Sequence, residues 1–331
     1  MIGLTEAYDA LTHWLGESHR PLILSHRRPD GDALGAMTAL SRALRARGCE
    51  PLPTLFGAPP PRYGFLDPGA AWHDWEAQRE ILGEDCDGVI VVDTCALAQL
   101  EPAAQFLAGA PRTLVIDHHV TRDPLGTRAG DLRVFDETAS ATSLMIHEWA
   151  RRANIALDAP LREALFVGIA TDTGWFRFSN ADARTLRAAA DLLGDDLDGN
   201  RLYNLIYQQE PAAKLRLVSH VLSRMELHAD GRLAVLFLRP ADFEATGADD
   251  TMTEDLVNEP SRLGGVEATL LFTQEADDLV RVNFRSKSTL DVSELARRFG
   301  GGGHARAAGA RLMGAWERNV PRVIAETIAA L

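Results

Sequence analysis

Four short stretches carry residues able to do chemistry together: "SHRRPDGD" (25–32), "VVDT" (91–94), "LVIDHH" (114–119) and "GIATDTGWF" (168–176). Taken singly, several have plain structural readings. Asp30 with Gly31 reads as a turn and a helix cap, Asp93 as a cap after a strand, and His26 as a satisfied core histidine. Asp117, His118 and His119 directly after an apolar run are harder to explain that way, because buried polar groups need partners. Carboxylates crowded at one place raise one another's pKa and repel unless cations lie between them. Oxygen and imidazole donors without thiolate suit divalent Mn, Mg, Fe or Zn, and the mixed set leans towards Mn²⁺. Donors this numerous suit two ions, with a carboxylate such as Asp93 able to bridge them. Metals paired at roughly 3.5–4 Å activate a water and stabilise charge in phosphoryl hydrolysis.

The elements that must position these groups follow from periodicity. Short β-rich runs, "PLILS" (21–25), "PLPTLF" (51–56), "GVIVVD" (88–93) and "RTLVID" (112–117), alternate with helical stretches such as 33–47. That alternation reads as α/β, with a mostly parallel sheet flanked by helices over residues 1–194. In such a sheet the carboxyl ends of the strands share one edge, where ligands bind at the point of strand-order reversal. Three strands therefore aim acids and imidazoles at one place, and Asp172 joins them after the apolar helical run "ALFVGIA". The prolines of "APPPRYGF" (58–65) predict a loop. Residues 195–227 read as a helical linker, helical from about Arg201 to Leu227. A smaller C-terminal α/β domain spans 228–331, with strands near 233–238, 268–272 and 279–284 and helices near 253–262, 292–299 and 316–330.

Composition narrows the class. The 331 residues suit two domains, and 46% hydrophobic with 7% aromatic content describes a globular chain. A formal net charge of −13 argues against a broad basic surface for long duplex nucleic acid. No apolar run approaches the roughly 20 residues needed to span a bilayer, and the N-terminus lacks a signal-peptide pattern. Three cysteines without a CxxC pair fit a reducing cytoplasm.

In their order and separations, "SHRRPDGDALG", "VVDT", "VIDHHV" and "GIATDTGWFRFSN" resemble the four motifs of the DHH phosphoesterase superfamily. "VNFRS" (282–286) and "GGGGHARAAG" (300–309) resemble the glycine-rich signature of the DHH-associated domain. The two-domain layout is most similar to the NrnA-type oligoribonucleases, or nanoRNases, many of which also remove a phosphate from 3′-phosphoadenosine 5′-phosphate. The resemblance implies that His26 and Asp30 hold a first ion, Asp32, His118 and Asp172 a second, and that Asp93 bridges both, generally with Mn²⁺. It further implies that Asp117 orients the adjacent imidazole and that His119 faces the scissile phosphate. Every one of these positions carries the residue type the motifs call for.

The C-terminal stretch has its own chemistry. Consecutive glycines, among them Gly301, Gly302 and Gly303, remove Cβ bulk so that backbone N–H groups can approach a phosphate, although a flexible turn is the simpler reading. Arg285 ends a strand and offers a planar fork for phosphate. By similarity, Arg285 and His304, with Arg306 beside them, grip a terminal phosphate or nucleotide across a cleft from the metals. Trp175, Phe176 and Phe178 could stack bases, but their place beside an apolar helix favours core. The expected partners are therefore short single-stranded RNA or DNA, of two to about five nucleotides, and 3′-phosphoadenosine 5′-phosphate. A cyclic- or linear-dinucleotide phosphodiesterase, a RecJ-like exonuclease and a non-catalytic nucleotide-binding scaffold are the rival readings. Oligomeric state, a homodimer included, stays open.

Overall fold

A computed structural model describes residues 3–66, 72–84, 86–120, 122–253 and 255–331. The chain divides between Gln209 and Glu210 into two compact units, inside the segment 195–227 read above as a linker.

In the N-terminal unit, α1 (Leu4–Gly16), β1 (Leu22–Leu24), α2 (Gly31–Arg45), β2 (Leu52–Leu55), β3 (His73–Asp74), α3 (Trp75–Gly83), β4 (Val89–Val92), α4 (Ala104–Gly109), β5 (Thr113–Asp117) and β6 (Leu132–Phe135) come first. Helices α5 (Thr142–Arg152), α6 (Ala159–Asp172), α7 (Ala183–Leu193) and α8 (Gly199–Tyr207) follow. The strands form one parallel sheet in the order β3-β2-β1-β4-β5-β6. Strand order reverses between β1 and β4, so their carboxyl ends open a crevice at the centre of the sheet. Alternation along the strands divides two cores. Ile23, Ile90, Val92, Leu114 and Ile116 face the core that α1, α2, α5 and α6 share, while Leu22, Leu24, Val89, Val91 and Val115 face the other. Burial on both faces is why these strands read as unbroken apolar runs.

The C-terminal unit holds α9 (Ala212–Leu222), β7 (Glu226–His228), β8 (Leu233–Leu238), α10 (Pro240–Thr246), β9 (Ala268–Ala276), β10 (Leu279–Ser286), α11 (Val292–Arg298), β11 (Gly302–His304), β12 (Ala307–Met313) and α12 (Trp316–Ala330). Its sheet runs β11-β12-β10-β9-β8-β7, parallel only between β8 and β9.

Three local expectations are corrected. The helical stretch 201–227 is two helices and a strand, because Pro211 lacks an amide and restricts the residue before it. The loop 58–65 contains a 3₁₀ turn over Pro61–Leu66. The helix expected near 253–262 is short 3₁₀ segments, Asp250–Thr253 and Leu256–Arg262, the second with Pro260 inside it; Glu254 lies outside the described residues.

One carboxylate organises the loop after β10. Glu267 accepts hydrogen bonds from the amides of Ser288 (3.1 Å), Thr289 (2.7 Å) and Leu290 (3.1 Å) and from the Ser288 hydroxyl (2.6 Å). Partial burial alone would raise its pKa, but these donors outweigh it and hold the group down at about 2. A depressed carboxylate pKa stabilises the fold above its ordinary value near 4.5, and that contribution is lost as pH falls from there through about 2. Glu267→Gln is expected to lower stability at pH 7 by ~1–2 kcal/mol, a figure discounted for solvent screening, and to flatten the acid limb. Urea titrations of both proteins from pH 7 to pH 2 check this; parallel curves would refute it.

Candidate metal centre

β1 ends at Leu24, two residues before His26, β4 ends at Val92 before Asp93, and β5 closes on Asp117. The Asp93 amide still donates to the Ile116 carbonyl (3.0 Å), but the residue itself is left-handed (φ 61°). Aspartate is among the few side chains that tolerate this conformation, which turns the carboxylate off the strand line. Asp93 is buried, with Oδ2 3.5 Å from His26 Nε2 and Oδ1 3.6 Å from His118 Nε2.

Asp30 caps α2 through Oδ1, which accepts from the amides of Asp32 (3.0 Å) and Ala33 (3.1 Å). The cap reading of Asp30 thus holds, yet one oxygen suffices for it. Asp32, one residue into α2, is buried and accepts from the amides of Thr142 (2.6 Å) and Ser143 (2.8 Å). These are the first residues of α5, whose own N-cap, Ala141, has no side chain to offer. Asp32 therefore caps α5 from a different helix, with its charge at the positive end of the helix dipole.

Glycines allow that approach. A Cβ on Gly35 would lie 2.4 Å from the Ala164 carbonyl, and one on Gly168 would lie 2.0 Å from Ser143 Oγ and 2.8 Å from Asp32 Oδ1. Asp172, the last residue of α6, is thereby carried to within 3.5 Å of His118 Nε2.

The predicted donors therefore meet. Three groups have donor atoms within 4.8 Å of one another: His26, Asp30 and Asp93; Asp32, His118 and Asp172; and Asp93, His118 and His119. They interlock through Asp93 and His118. His118 Nδ1 donates to the Ala139 carbonyl (3.1 Å), which fixes the ring and leaves Nε2 as the nitrogen turned towards the carboxylates. Among the described residues that Nε2 is buried without a hydrogen-bond partner, facing two carboxylates. An imidazole nitrogen and two carboxyl groups that converge without a hydrogen bond from that nitrogen are an arrangement a cation satisfies, and the donor types fit a divalent ion. Burial, then repulsion from Asp32, Asp30, Asp172 and Asp117, pushes the Asp93 carboxyl well above its usual range; burial and then Asp32 and Asp30 do the same to Asp172.

Asp117 is fully buried, and its Oδ1 accepts from both the amide (3.1 Å) and Nδ1 (2.7 Å) of His119. Burial works against protonation of His119, but the hydrogen bond and charge of Asp117, helped by Asp32 and Asp30, raise its pKa overall.

Two family models match. The DHH family N-terminal domain covers residues 20–169 and the DHHA1 domain covers 230–331. The chain is 30% identical over 310 residues to the bifunctional oligoribonuclease and PAP phosphatase NrnA of Bacillus subtilis, covering 92% of each, and 32% identical to the protein of that name from Thermus thermophilus, covering 88% of this chain and 84% of that one. The chain belongs to the DHH family. It is a DHH-family phosphoesterase whose His/Asp clusters lie in the matched domain, apart from Asp172 three residues past its end. A crystal structure of an exopolyphosphatase-related protein from Bacteroides fragilis, 23% identical, shares the fold with a TM-score of 0.89 over 98% of this chain and 96% of that one. Among the described residues no helix is long and apolar enough to cross a membrane.

In the DHHA1 part, Gly301, Gly302 and Gly303 do not share one role. A Cβ on Gly301 would meet the Gly309 carbonyl at 2.0 Å, and one on Gly303, at φ 140°, the Ala307 carbonyl at 2.5 Å; Gly302 has open space. Close pairing with β12 thus explains two of these glycines, and exposed β11 carries Gly302, Gly303 and His304 as an edge strand rather than a flexible turn. Arg306 Nη1 donates to the Leu290 carbonyl (2.8 Å). Arg285 is half-buried, with Nε on Asn258 Oδ1 (3.0 Å) and Nη1 on the Phe284 carbonyl (3.1 Å). Burial lowers its pKa against the opposing charge of Asp255.

Sequence reasoning missed Thr142 and Ser143, which present α5 to the site, with the Thr142 hydroxyl also on Asp93 (3.1 Å). Their signal was there: "DETASATS" (136–143) is a run of cap-forming residues before a helical period. Trp175 and Phe176 pack on the main core as expected, but Phe178 is 50% exposed.

Proposed function

We propose that the protein is a cytoplasmic hydrolase of short oligonucleotides, two to about five nucleotides long. It would release nucleoside monophosphates and also remove a phosphate from 3′-phosphoadenosine 5′-phosphate. The observation that carries the reading is the interlocked set of donors at the carboxyl ends of β1, β4 and β5. The names of the Bacillus and Thermus relatives support the choice of substrate.

In this reading His26, Asp30 and Asp93 hold one divalent ion and Asp32, His118 and Asp172 the other, with Asp93 shared and Mn²⁺ the metal. When bound, paired divalent ions polarise the phosphoryl oxygens and lower the pKa of a water nucleophile. The chain supplies the rest. Asp117 fixes the His119 ring through Nδ1, so Nε2 is the atom that would donate to a phosphate oxygen. Asp32 and the α5 amides hold the donors at their spacing before substrate arrives. In the DHHA1 unit, Arg285, Gly301, Gly302, Gly303, His304 and Arg306 would bind the terminal phosphate or nucleotide. Arg285 suits this because its half-buried guanidinium has no carboxylate within 4 Å among the described residues, and an anion would relieve that desolvation.

The test is a product time course with Mn²⁺ and with a chelator, on a dinucleotide, a five-mer, a long single strand, a cyclic dinucleotide and 3′-phosphoadenosine 5′-phosphate. The expected result is metal-dependent cleavage of the two short substrates well ahead of the long strand, with adenosine monophosphate formed from the last. Equal turnover of the long strand, or preference for the cyclic dinucleotide, would sink the proposal. Arg285→Lys keeps the charge and loses the fork, so KM for the dinucleotide is expected to rise about 10- to 100-fold. An unchanged KM would remove Arg285 from the site.

A further inference from the structure

The turn after α6 is held by more contacts than its length requires. Gly174, Trp175 and Phe176 are all left-handed, at φ 56°, 58° and 63°, a conformation that bulky side chains rarely adopt. Buried Thr173 anchors it: its carbonyl accepts from the amides of Arg177 (3.0 Å) and Phe178 (3.0 Å), and its hydroxyl from the amide of Phe176 (3.1 Å). Trp175 is wedged edge-on among Phe166, Tyr203 and Tyr207 at ring separations of 5.2–5.8 Å. At the far end Asn180 Nδ2 donates to the carbonyls of Asp172 (3.2 Å) and Ser140 (3.3 Å). The turn is thus tied to a donor of the metal centre and to the residue after Ala139, whose carbonyl orients His118.

Phe178 is the aromatic side chain this turn leaves outside. A Cβ built on Gly174 would lie 2.4, 2.6 and 2.6 Å from its Cζ, Cε1 and Cε2. Three ring atoms at nearly one distance mean that the ring lies with a face over Gly174. The residue is nevertheless 50% exposed, so the contact with Gly174 leaves about half of it open to solvent. Single exposed apolar side chains are ordinary. A ring laid flat on fixed backbone, in the turn that begins right after the candidate donor Asp172, offers a stacking surface whose ordering cost is already met.

We propose that Phe178 is the nucleobase platform of the catalytic unit, stacking a base attached to the phosphate held at the His/Asp cluster. The proposal rests on the function proposed above and assigns it a specificity-determining residue. Base stacking is sequence-tolerant, so the platform selects nucleotides over base-free phosphodiesters without selecting among bases.

The experiment uses the full chain with Mn²⁺. Hydrolysis of a dinucleotide is compared with that of counterparts lacking one base or the other, and equilibrium binding is measured with a phosphorothioate dinucleotide. Phe178→Ala is expected to weaken dinucleotide binding and raise its KM about 5- to 150-fold more than it changes either value for one base-free counterpart. Phe178→Trp restores affinity, and Phe178→Leu, which keeps apolar bulk without a flat face, does not. Thermal melts accompany each variant, so an unfolded Ala protein leaves the Trp and Leu pair to decide. Equal penalties on all substrates, or full affinity in the Leu variant, overturn the platform while leaving the hydrolase reading intact if the wild type cleaves the dinucleotide. A wild type that binds without cleaving ends the hydrolase reading, and the binding data still judge Phe178. No binding by the wild type overturns both.

Discussion

Asp93→Asn is expected to lower Mn²⁺-dependent hydrolysis by at least about 10³-fold while making the metal-free protein more stable. The first effect follows from the place of Asp93 in the group with His26 and Asp30 and, 3.6 Å from His118 Nε2, beside the second proposed site, so that in the proposed reading its loss weakens both. Removing one preorganised charge-stabilising group from an active site commonly costs 10²–10³ in rate, and a shared one should exceed that. The second effect follows from burial. Asp93 is 3% exposed and is repelled by Asp32, Asp30, Asp172 and Asp117. A neutral amide of the same shape removes the repulsion, keeps the acceptor for Thr142 Oγ1 and tolerates the left-handed backbone. With a gain of ~1–2 kcal/mol, the melting temperature in chelator should rise by about 2–8 °C. Saturating Mn²⁺ should then invert the order, since binding at 100 times Kd adds about 2.7 kcal/mol to the wild type and much less to the variant. Melts with and without Mn²⁺, beside steady-state rates, check both halves. A variant with more than a tenth of wild-type activity, or with undiminished stabilisation by the metal, would show that Asp93 is not the shared ligand.

Gly168→Ala presents the opposite case, in which local and tertiary preferences disagree. Alanine is better than glycine in a helix interior by about 1 kcal/mol, so propensity alone predicts stabilisation. The added methyl would instead sit 2.0 Å from Ser143 Oγ and 2.6 Å from its Cβ, and 2.8 Å from Asp32 Oδ1. Overpacking of this kind costs about 1–3 kcal/mol, and contacts this short belong at the upper end. We expect a net loss of ~2 kcal/mol, with α5 displaced from the carboxylate that caps it. Metal affinity should fall about 10- to 100-fold, as it does when groups orienting a ligand are disturbed. Ser143→Gly placed on top removes the worst clash and should recover part of the stability, a coupling that independent sites would not show. Denaturant titration and Mn²⁺ binding on the two single variants and the double variant decide the matter. Additive losses, or unaltered metal affinity in the single alanine variant, would refute the argument.

The amino-acid sequence by itself determined β1, β2, β4 and β5 of the catalytic sheet and the acids and imidazoles at the ends of three of them. An apolar run buried on both faces, followed at once by charged residues, is a local pattern, and β1, β4 and β5 each end where that pattern does. The donor types, and hence the need for cations, were legible for the same reason. The short strands β3, β6, β7 and β11 carry too few patterned residues to announce themselves, β12 is built largely of alanine and glycine, Pro211 cut a helix that periodicity alone had run together, and Pro260 sits inside a 3₁₀ segment where a helix was expected. Only the tertiary structure decided how donors far apart in the chain share an edge. Asp32 caps a helix that begins 110 residues later, and Gly35 and Gly168 let α2, α5 and α6 approach closely enough for it to do so. It also separated three adjacent aromatics into two that fill core and one, Phe178, that does not. Such contacts depend on which surfaces meet across long sequence separations, and no short window of residues contains that information.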